Sequence, residues 1–513
     1  MSDDESESKK NHYITCLAWV KRGVAASVPD KVELSVQELQ SILKTTEQMK
    51  DEDNSDQENG TFTVVKDEEM KDGSVNVTDE FDFNKYDEEP DDILCRIDNI
   101  AVIDGRDPFI TTGDSDDEDS EKEDDIIKSS DNLLLVGHLK DDECVLEVYV
   151  YNEEEQSFYC HHHNDLQYIP LCFEWLNFDP SDILKPVNFC AIGNYSSVID
   201  VWDLDIVGSV DPVFQLGKKS NKKKNIKHVG HKNSVLDIAW NTSLNHILAS
   251  GSADKTVILW DLEFGTPSTK LTSFENVVQS IKWHETESHI LLTGCMDKKV
   301  RLYDCNSETA KTWLASGEVE RVLWNHFDSN ICFISTDNGY LECIDIRQDK
   351  ALWQKKVQEE EMAGLSMSVS CPGLLLSSNK DGTLKIWDVI NYLEPQLVAE
   401  KQTNVGQIMC LEANCDSPFT FAIGGDNKAH HLSLFNASRL DKVAEHFKNR
   451  KVKNFIPPVA LAESSHVENK DESGNTELMD ITENMSTINL EAKKISKLTK
   501  TKKKPRHRNR NVK

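Results

Sequence analysis

Closely spaced histidines, dense cations and hydroxyls set among acids are the residues of this chain that could do chemistry. In HETESH, His284 and His289 lie five apart. Two histidines share one zinc on a helix when they are four apart, and at five their imidazoles diverge. The string also follows a strand-like run, which predicts an exposed loop. His161, His162 and His163 are consecutive, and on a strand neighbours point to opposite faces, so they make a poor chelate. No GxxxxGK[ST], GxGxxG or GxSxG occurs, which removes the phosphate cradles and the serine nucleophile turn. The sequence therefore predicts no catalytic residue, no metal, no cofactor and no small-molecule substrate.

The cations form two groups. Lys218, Lys219, Lys222, Lys223, Lys224 and Lys227 occupy the long gap between Asp203 and Asp261, which reads as a loop insertion. Dense positive charge there suits importin recognition or phosphate contact, with Lys222, Lys223 and Lys224 at its centre. Lys502, Lys503, Lys504, Arg506, Arg508 and Arg510 form the second group. Without aromatic residues to stack on bases, this run suits nonspecific attachment to RNA or DNA backbones. Ser115 and Ser120 each have Glu three residues on, at Glu118 and Glu123, the context of acidophilic phosphorylation, and each phosphate would add about −1.5 to −2 charges.

The whole chain has 513 residues and a formal net charge of −33, unevenly spread. Residues 1–132 hold 38 acids and 14 bases, net −24, whereas residues 490–513 hold 11 bases and one acid, net +10. The run DSDDEDSEKEDD cannot bury enough apolar surface to offset the entropy of ordering it. Disorder is expected over most of 47–128, although Phe81, Phe83, Tyr86, Ile93, Leu94 and Ile97 could dock on a surface. Ser35 and Glu38 have capping-box spacing ahead of Val36, Leu39, Ile42 and Leu43, which predicts a helix from 36 to about 49. The opening MSDDESESKK lacks an apolar stretch, and no apolar run reaches membrane-spanning length, so neither a secretory signal nor a membrane helix is expected. The 13 cysteines include no CxxC pair and read as buried thiols in a reducing compartment.

The elements that position these groups come from a repeat. Trp240, Trp283 and Trp324 are 43 and 41 residues apart, each with apolar residues five and two before it: Val235 and Ile238, Val278 and Ile281, Val319 and Val322. The pattern fits Ile14, Leu17 and Trp19; it fits Met362, Leu365 and Met367, and Val405, Ile408 and Cys410, with the last position changed; at Trp175 it keeps Phe173 but has Pro170. After each copy comes an apolar run ending in Asp or Asn: Asn152, Asp203, Asp261, Asp304, Asp345, Asp388 and Asn436. Residues five apart fall on opposite faces of a regular strand, so each first strand is expected to be covered on both sides, as in stacked β-blades.

A period of about 40 to 45 residues ending in Trp-Asp resembles the WD40 family, with ASGSADKTVILWDL and SSNKDGTLKIWDV as close matches. That resemblance implies a buried hydrogen-bonded tetrad, carried here by His231, Ser250, Asp254 and Trp260. The sixth repeat keeps Ser377, Asp381 and Trp387 without a Gly-His. The fold expected is an all-β, seven-bladed WD40 β-propeller with a long acidic disordered insertion in blade one and a basic disordered C-terminal tail. Its parts are an acidic segment (1–13), the first strand of blade one with a short helix (14–46), the insertion (47–131), the remaining propeller (132–442) and an extension (443–513). Residues 1–13 or 443–456 are candidates for the strand that closes the ring.

ITCLAWVKRGVA, DGRDPFIT, LEVYVYN, EWLNFDP, VIDVWDLDIV, TVILWD and VERVLWNHF, in this order around the acidic insertion, resemble the periodic tryptophan protein 1 family over about residues 12–437. The resemblance implies a non-enzymatic nuclear and nucleolar WD-repeat protein that supports ribosome biogenesis and associates with chromatin, including ribosomal DNA. Its implied partners are pre-ribosomal or chromatin proteins. The alternative is a histone-binding or histone-chaperone protein in which the acidic arm neutralises basic histone tails.

Overall fold

The computed structural model describes residues 12–34, 101–102 and 125–452, apart from 142, 183–184, 221–225, 308 and 360. Seven antiparallel sheets follow one another along the chain. Blade one joins His12–Val20 to Asn132–Lys140, Glu143–Asn152 and Ser157–Leu166. Blade three, the most regular, runs Val235–Trp240, Ile247–Ser252, Val257–Asp261 and Thr266–Leu271 from the axis outward. Blades one to six have four strands; among the described residues blade seven has three, Ile408–Ala413, Thr420–Gly425 and Leu432–Asn436. The chain is a seven-bladed β-propeller.

The apolar triplet works differently from a regular strand. Every inner strand carries a register shift, after its first residue in blades two to seven, as between Val235 and Asp237, Val278 and Ser280, and Val319 and Arg321, and after Ile14 in blade one. An extra residue inverts the alternation beyond it, so positions five, two and zero share one face instead of dividing between two. Val319, Val322 and Trp324 fill one core cluster, and Met362, Leu365 and Met367 another. Burial on both sides comes from the middle strands. In blade three Leu248, Ile258 and Trp260 pack towards blade two, while Ala249, Val257 and Leu259 pack towards blade four. Glycines on the second strands allow this approach: a Cβ at Gly294 would lie 2.5 Å from Val319 of the next blade. In blade seven the shift falls between Ile408 and Cys410, so its equivalent triplet is Ile408, Leu411 and Ala413 rather than Val405, Ile408 and Cys410.

The second anchor ends each third strand in a side-chain turn. Asn152, Asp203, Asp261, Asp304, Asp345, Asp388 and Asn436 each accept the backbone N–H two residues on, at 2.9–3.1 Å. A short side-chain acceptor closes such a turn and stops the strand. Two of the periodic tryptophans tie their blade to the one before: Trp283 Nε1 donates to the Ala239 carbonyl at 3.0 Å and Trp324 Nε1 to the Lys282 carbonyl at 3.3 Å. Trp19 repeats this contact across the seam, donating to the Glu412 carbonyl at 3.3 Å.

The ring thus closes by direct packing of His12–Val20 against blade seven, with Ile14, Leu17 and Trp19 sharing a cluster with Cys410 and Ala422. Residues 443–456 do not supply a closing strand among the described residues. Asp441–Phe447 is instead a helix whose Val443 and Phe447 enter the core of blades six and seven. His446 Nε2 meets Asp388 Oδ2 at 2.7 Å, and Arg450 also bonds Asp388. Packed chain therefore runs past the expected boundary at 442. It also begins before 132: Ile127 is buried in blade one, and its N–H donates to the Ser27 carbonyl at 2.9 Å. The helix expected from 36 lies outside the described residues.

Candidate functional site

In blade three the structure brings His231, Ser250, Asp254 and Trp260 together. Trp260 Nε1 donates to Ser250 Oγ at 2.8 Å, Ser250 Oγ meets His231 Nε2 at 2.7 Å, and His231 Nδ1 meets Asp254 Oδ1 at 3.1 Å. Burial pushes the Asp254 carboxyl up, but hydrogen bonds from His231 and Thr256 outweigh it and hold the group well below its ordinary value. An ionised Asp254 accepts, so His231 Nδ1 carries the proton, Nε2 accepts from the serine, and the serine accepts from tryptophan. His231, Ser250 and Trp260 are fully buried. No substrate can reach this chain of bonds, which fixes the blade. Gly230 is required beside it, with φ +100° and an ideal Cβ only 2.7 Å from Trp260.

Other blades meet the same need with different residues. In blade six Trp387 Nε1 donates to Ser377 Oγ at 3.0 Å, and Gln358 Nε2 reaches that oxygen at 3.2 Å from the place of the missing histidine. Asp381 accepts from the Thr383 backbone at 2.8 Å. Blade four uses a buried Arg301–Asp297 pair, with Nη1 to Oδ1 at 3.1 Å. Neither substitute shows in the sequence, because Gln358 and Arg301 lie outside any Gly-His or Trp-Asp phrase.

The inner strands also present charges to the central channel. Glu174, Asp237, Lys282 and Glu412 come from four blades yet act on one another. Asp237 Oδ2 accepts from Ser280 Oγ at 3.0 Å and the Ile281 N–H at 2.8 Å. Asp237, and beyond it Glu174, hold Lys282 protonated against its burial. Burial pushes Glu174 up to about 7.

Two polar groups sit on the seam between blades seven and one. Arg22 Nε donates to Asn132 Oδ1 at 2.9 Å, Asn132 Nδ2 to Asp416 Oδ2 at 2.6 Å, and the Arg22 N–H to Asp416 Oδ2 at 2.9 Å. The other group is His12, His138 and His431, whose ring nitrogens lie within 4.8 Å of one another.

Several expected residues are placed differently. His284 is buried, not on an exposed loop; its Nε2 donates to the Ser329 carbonyl at 2.9 Å, and only residues 285–287 around it are exposed. His161 and His162 touch, Nδ1 to Nδ1 at 2.9 Å, because the strand slips register opposite Val148 and Tyr149 and loses its alternation there. Most described thiols are buried, but Cys160 is exposed. The lysine loop is pinched at its base by paired backbone bonds of 2.9 Å between Lys218 and Val229. Lys219 reaches the Tyr168 hydroxyl at 2.7 Å. Lys222, Lys223, Lys224, Lys502, Lys503, Lys504, Arg506, Arg508, Arg510, Ser115 and Ser120 lie outside the described residues.

An open groove of about 940 Å³ runs between the turns of blades six and seven, lined by Lys380, Asp381, Gln402, Asn404, Asp426 and His430. Its mixed polar lining suits a protein surface better than an apolar ligand.

Residues 223–261 and 265–304 match the family described as WD domain, G-beta repeat. The chain is 38% identical to the Periodic tryptophan protein 1 homolog of Drosophila melanogaster, over 85% of this chain and 96% of that one. It belongs to the periodic tryptophan protein 1 family. A WD repeat-containing protein of Schizosaccharomyces pombe is 32% identical and Periodic tryptophan protein 1 of Saccharomyces cerevisiae 27% identical, each over 85% of this chain. In this member of the family Trp19, Trp283 and Trp324 join successive inner strands through the same indole-to-carbonyl bond, and Trp260 and Trp387 lock their own blades.

Proposed function

We propose that the chain is a non-catalytic nucleolar scaffold that supports ribosome biogenesis and ribosomal-DNA chromatin. The observation that carries this reading is similarity to a periodic tryptophan protein 1 homologue at 38% identity, spanning 85% of the chain. The interior supports it: the polar constellation of blade three is closed to solvent, and the open polar groove fits a protein surface. In this reading the propeller holds pre-ribosomal or chromatin proteins, while Lys222 to Lys224 and the cations from Lys502 to Arg510 supply nuclear targeting and salt-sensitive contact with RNA or DNA backbones. Ser115 and Ser120 are phosphorylation sites that raise the negative charge of the arm.

A histone-binding role is the second reading, favoured by the net −24 of residues 1–132. Fractionation of the endogenous protein separates the two. On the scaffold reading it sediments with pre-ribosomes and stays there after nuclease digestion of DNA. Release with mononucleosomes and histones, without pre-ribosomal RNA, would support the histone reading instead.

A further inference from the structure

His12, His138 and His431 come from three separate elements on the two sides of the ring seam. His12 begins the innermost strand of blade one, where it faces Lys140, and His138 lies on the next strand opposite Val145. His431 ends the turn before Leu432 in blade seven, a turn closed by the Gly425 N–H bond to the His431 carbonyl at 2.8 Å. His138 Nδ1 donates to Glu147 Oε1 at 2.9 Å, and Tyr149 supports Glu147 through a bond of 3.2 Å to Oε2. That bond fixes the His138 tautomer and leaves the Nε2 lone pair pointing at His12 Nδ1, 3.2 Å away. Among the described residues the buried Nδ1 of His431 has no hydrogen-bond partner.

We propose that His12, His138 and His431 bind one first-row divalent cation of the zinc class, clasping blade seven to blade one. A tetrahedral zinc site with bonds of about 2.0–2.1 Å sets its ligand nitrogens about 3.3 Å apart. The His12–His138 spacing already matches. His431 must turn, because its ring stacks on His138 with centroids 4.6 Å apart and planes at 27°, and its ligand atom must close from within 4.8 Å. The Glu147–His138 pair has the carboxylate–imidazole arrangement that orients metal-bound histidines, and a water molecule completes the fourth position. The clasp would join the first two strands of blade one to the turn that leads into Leu432–Asn436 of blade seven. Lys140 and Lys428 oppose the added charge, while Asp141 and Glu147 favour it.

The test uses the untagged full-length chain freed of metal, titrated with Zn²⁺ and separately with Co²⁺, whose visible bands report tetrahedral coordination. One equivalent should bind and raise the melting temperature as Zn²⁺ exceeds its Kd. His431→Gln and His12→Gln should each abolish that equivalent, and Glu147→Gln should weaken it about 10- to 100-fold. A His161→Gln/His163→Gln variant should keep it. Absence of stoichiometric binding in the wild-type chain would overturn the proposal and leave a hydrogen-bonded His12–His138 pair with His431 stacked on it. Retention of the equivalent in His431→Gln and His12→Gln variants that melt like the metal-free chain would overturn it equally.

Discussion

Trp260 stands at the end of a buried relay, so its loss empties space between blades two and three and takes the indole donor from Ser250 Oγ. Trp260→Ala is expected to cost about 3–5 kcal/mol, measured by urea unfolding, and Trp387→Ala the same; a variant within 1 kcal/mol of wild type would deny these residues their packing role. Glu174 gives a pH-dependent test. Its ordinary value is 4.5 and burial raises it to about 7 in the fold, so between these values the native state holds a proton that the unfolded chain has released. Stability therefore falls as pH rises through that window. Gln at 174 can still accept the Trp240 N–H, bonded at 3.0 Å in the native chain, and carries no charge to desolvate. Glu174→Gln should gain about 1–2 kcal/mol relative to wild type at pH 8 compared with pH 5. An equal difference at both pH values would show that the channel solvates this carboxylate fully.

The seam carries the corresponding prediction for elements. The Arg22 guanidinium donates to Asn132 of blade one and to Ser417 of blade seven, so Arg22→Ala leaves the buried Asn132 Oδ1 and Ser417 Oγ short of a donor, while the backbone bond to Asp416 stays. A loss of about 1–3 kcal/mol is expected in thermal or urea unfolding, against almost none for the exposed Lys350→Ala. Blade number, blade order and the anchors at Trp260 and Asp261 were legible because the repeat period and the turn-closing acids are local features. The inner-strand bulge was not, since an extra residue leaves no mark on composition and merely inverts which residues share a face. It explains why Val319, Val322 and Trp324 lie together although a regular strand would separate them. Gln358 escaped because it stands outside any Gly-His phrase, although its partner Ser377 lies in the same blade, and the histidine trio escaped because only the closed ring brings His431 of blade seven to His12 and His138 of blade one. The helix Asp441–Phe447 was hidden by its polar neighbours, with Val443 and Phe447 its buried apolar residues.

Across the whole molecule, charge is the dominant asymmetry, net −24 over residues 1–132 and net +10 over 490–513. Tethered segments meet at effective concentrations up to about millimolar, from which we propose that the arm competes with nucleic acid for the tail. Deleting residues 51–128 should tighten nonspecific RNA binding at low salt, and phosphorylation at Ser115 and Ser120 should loosen it. Equal or weaker affinity in the deletion would show that the arm does not cover the tail. On the proposed nucleolar reading, neutralising the cations from Lys502 to Arg510 should weaken nucleolar retention more than neutralising Lys222 to Lys224; retention unchanged after both would assign it to the propeller. Acute depletion of the protein, followed by pulse-labelling of ribosomal RNA, tests the scaffold role most directly. Mature ribosomal RNA should accumulate more slowly and recover when the wild-type chain is restored, whereas unchanged labelling under complete depletion would contradict a role in ribosome production.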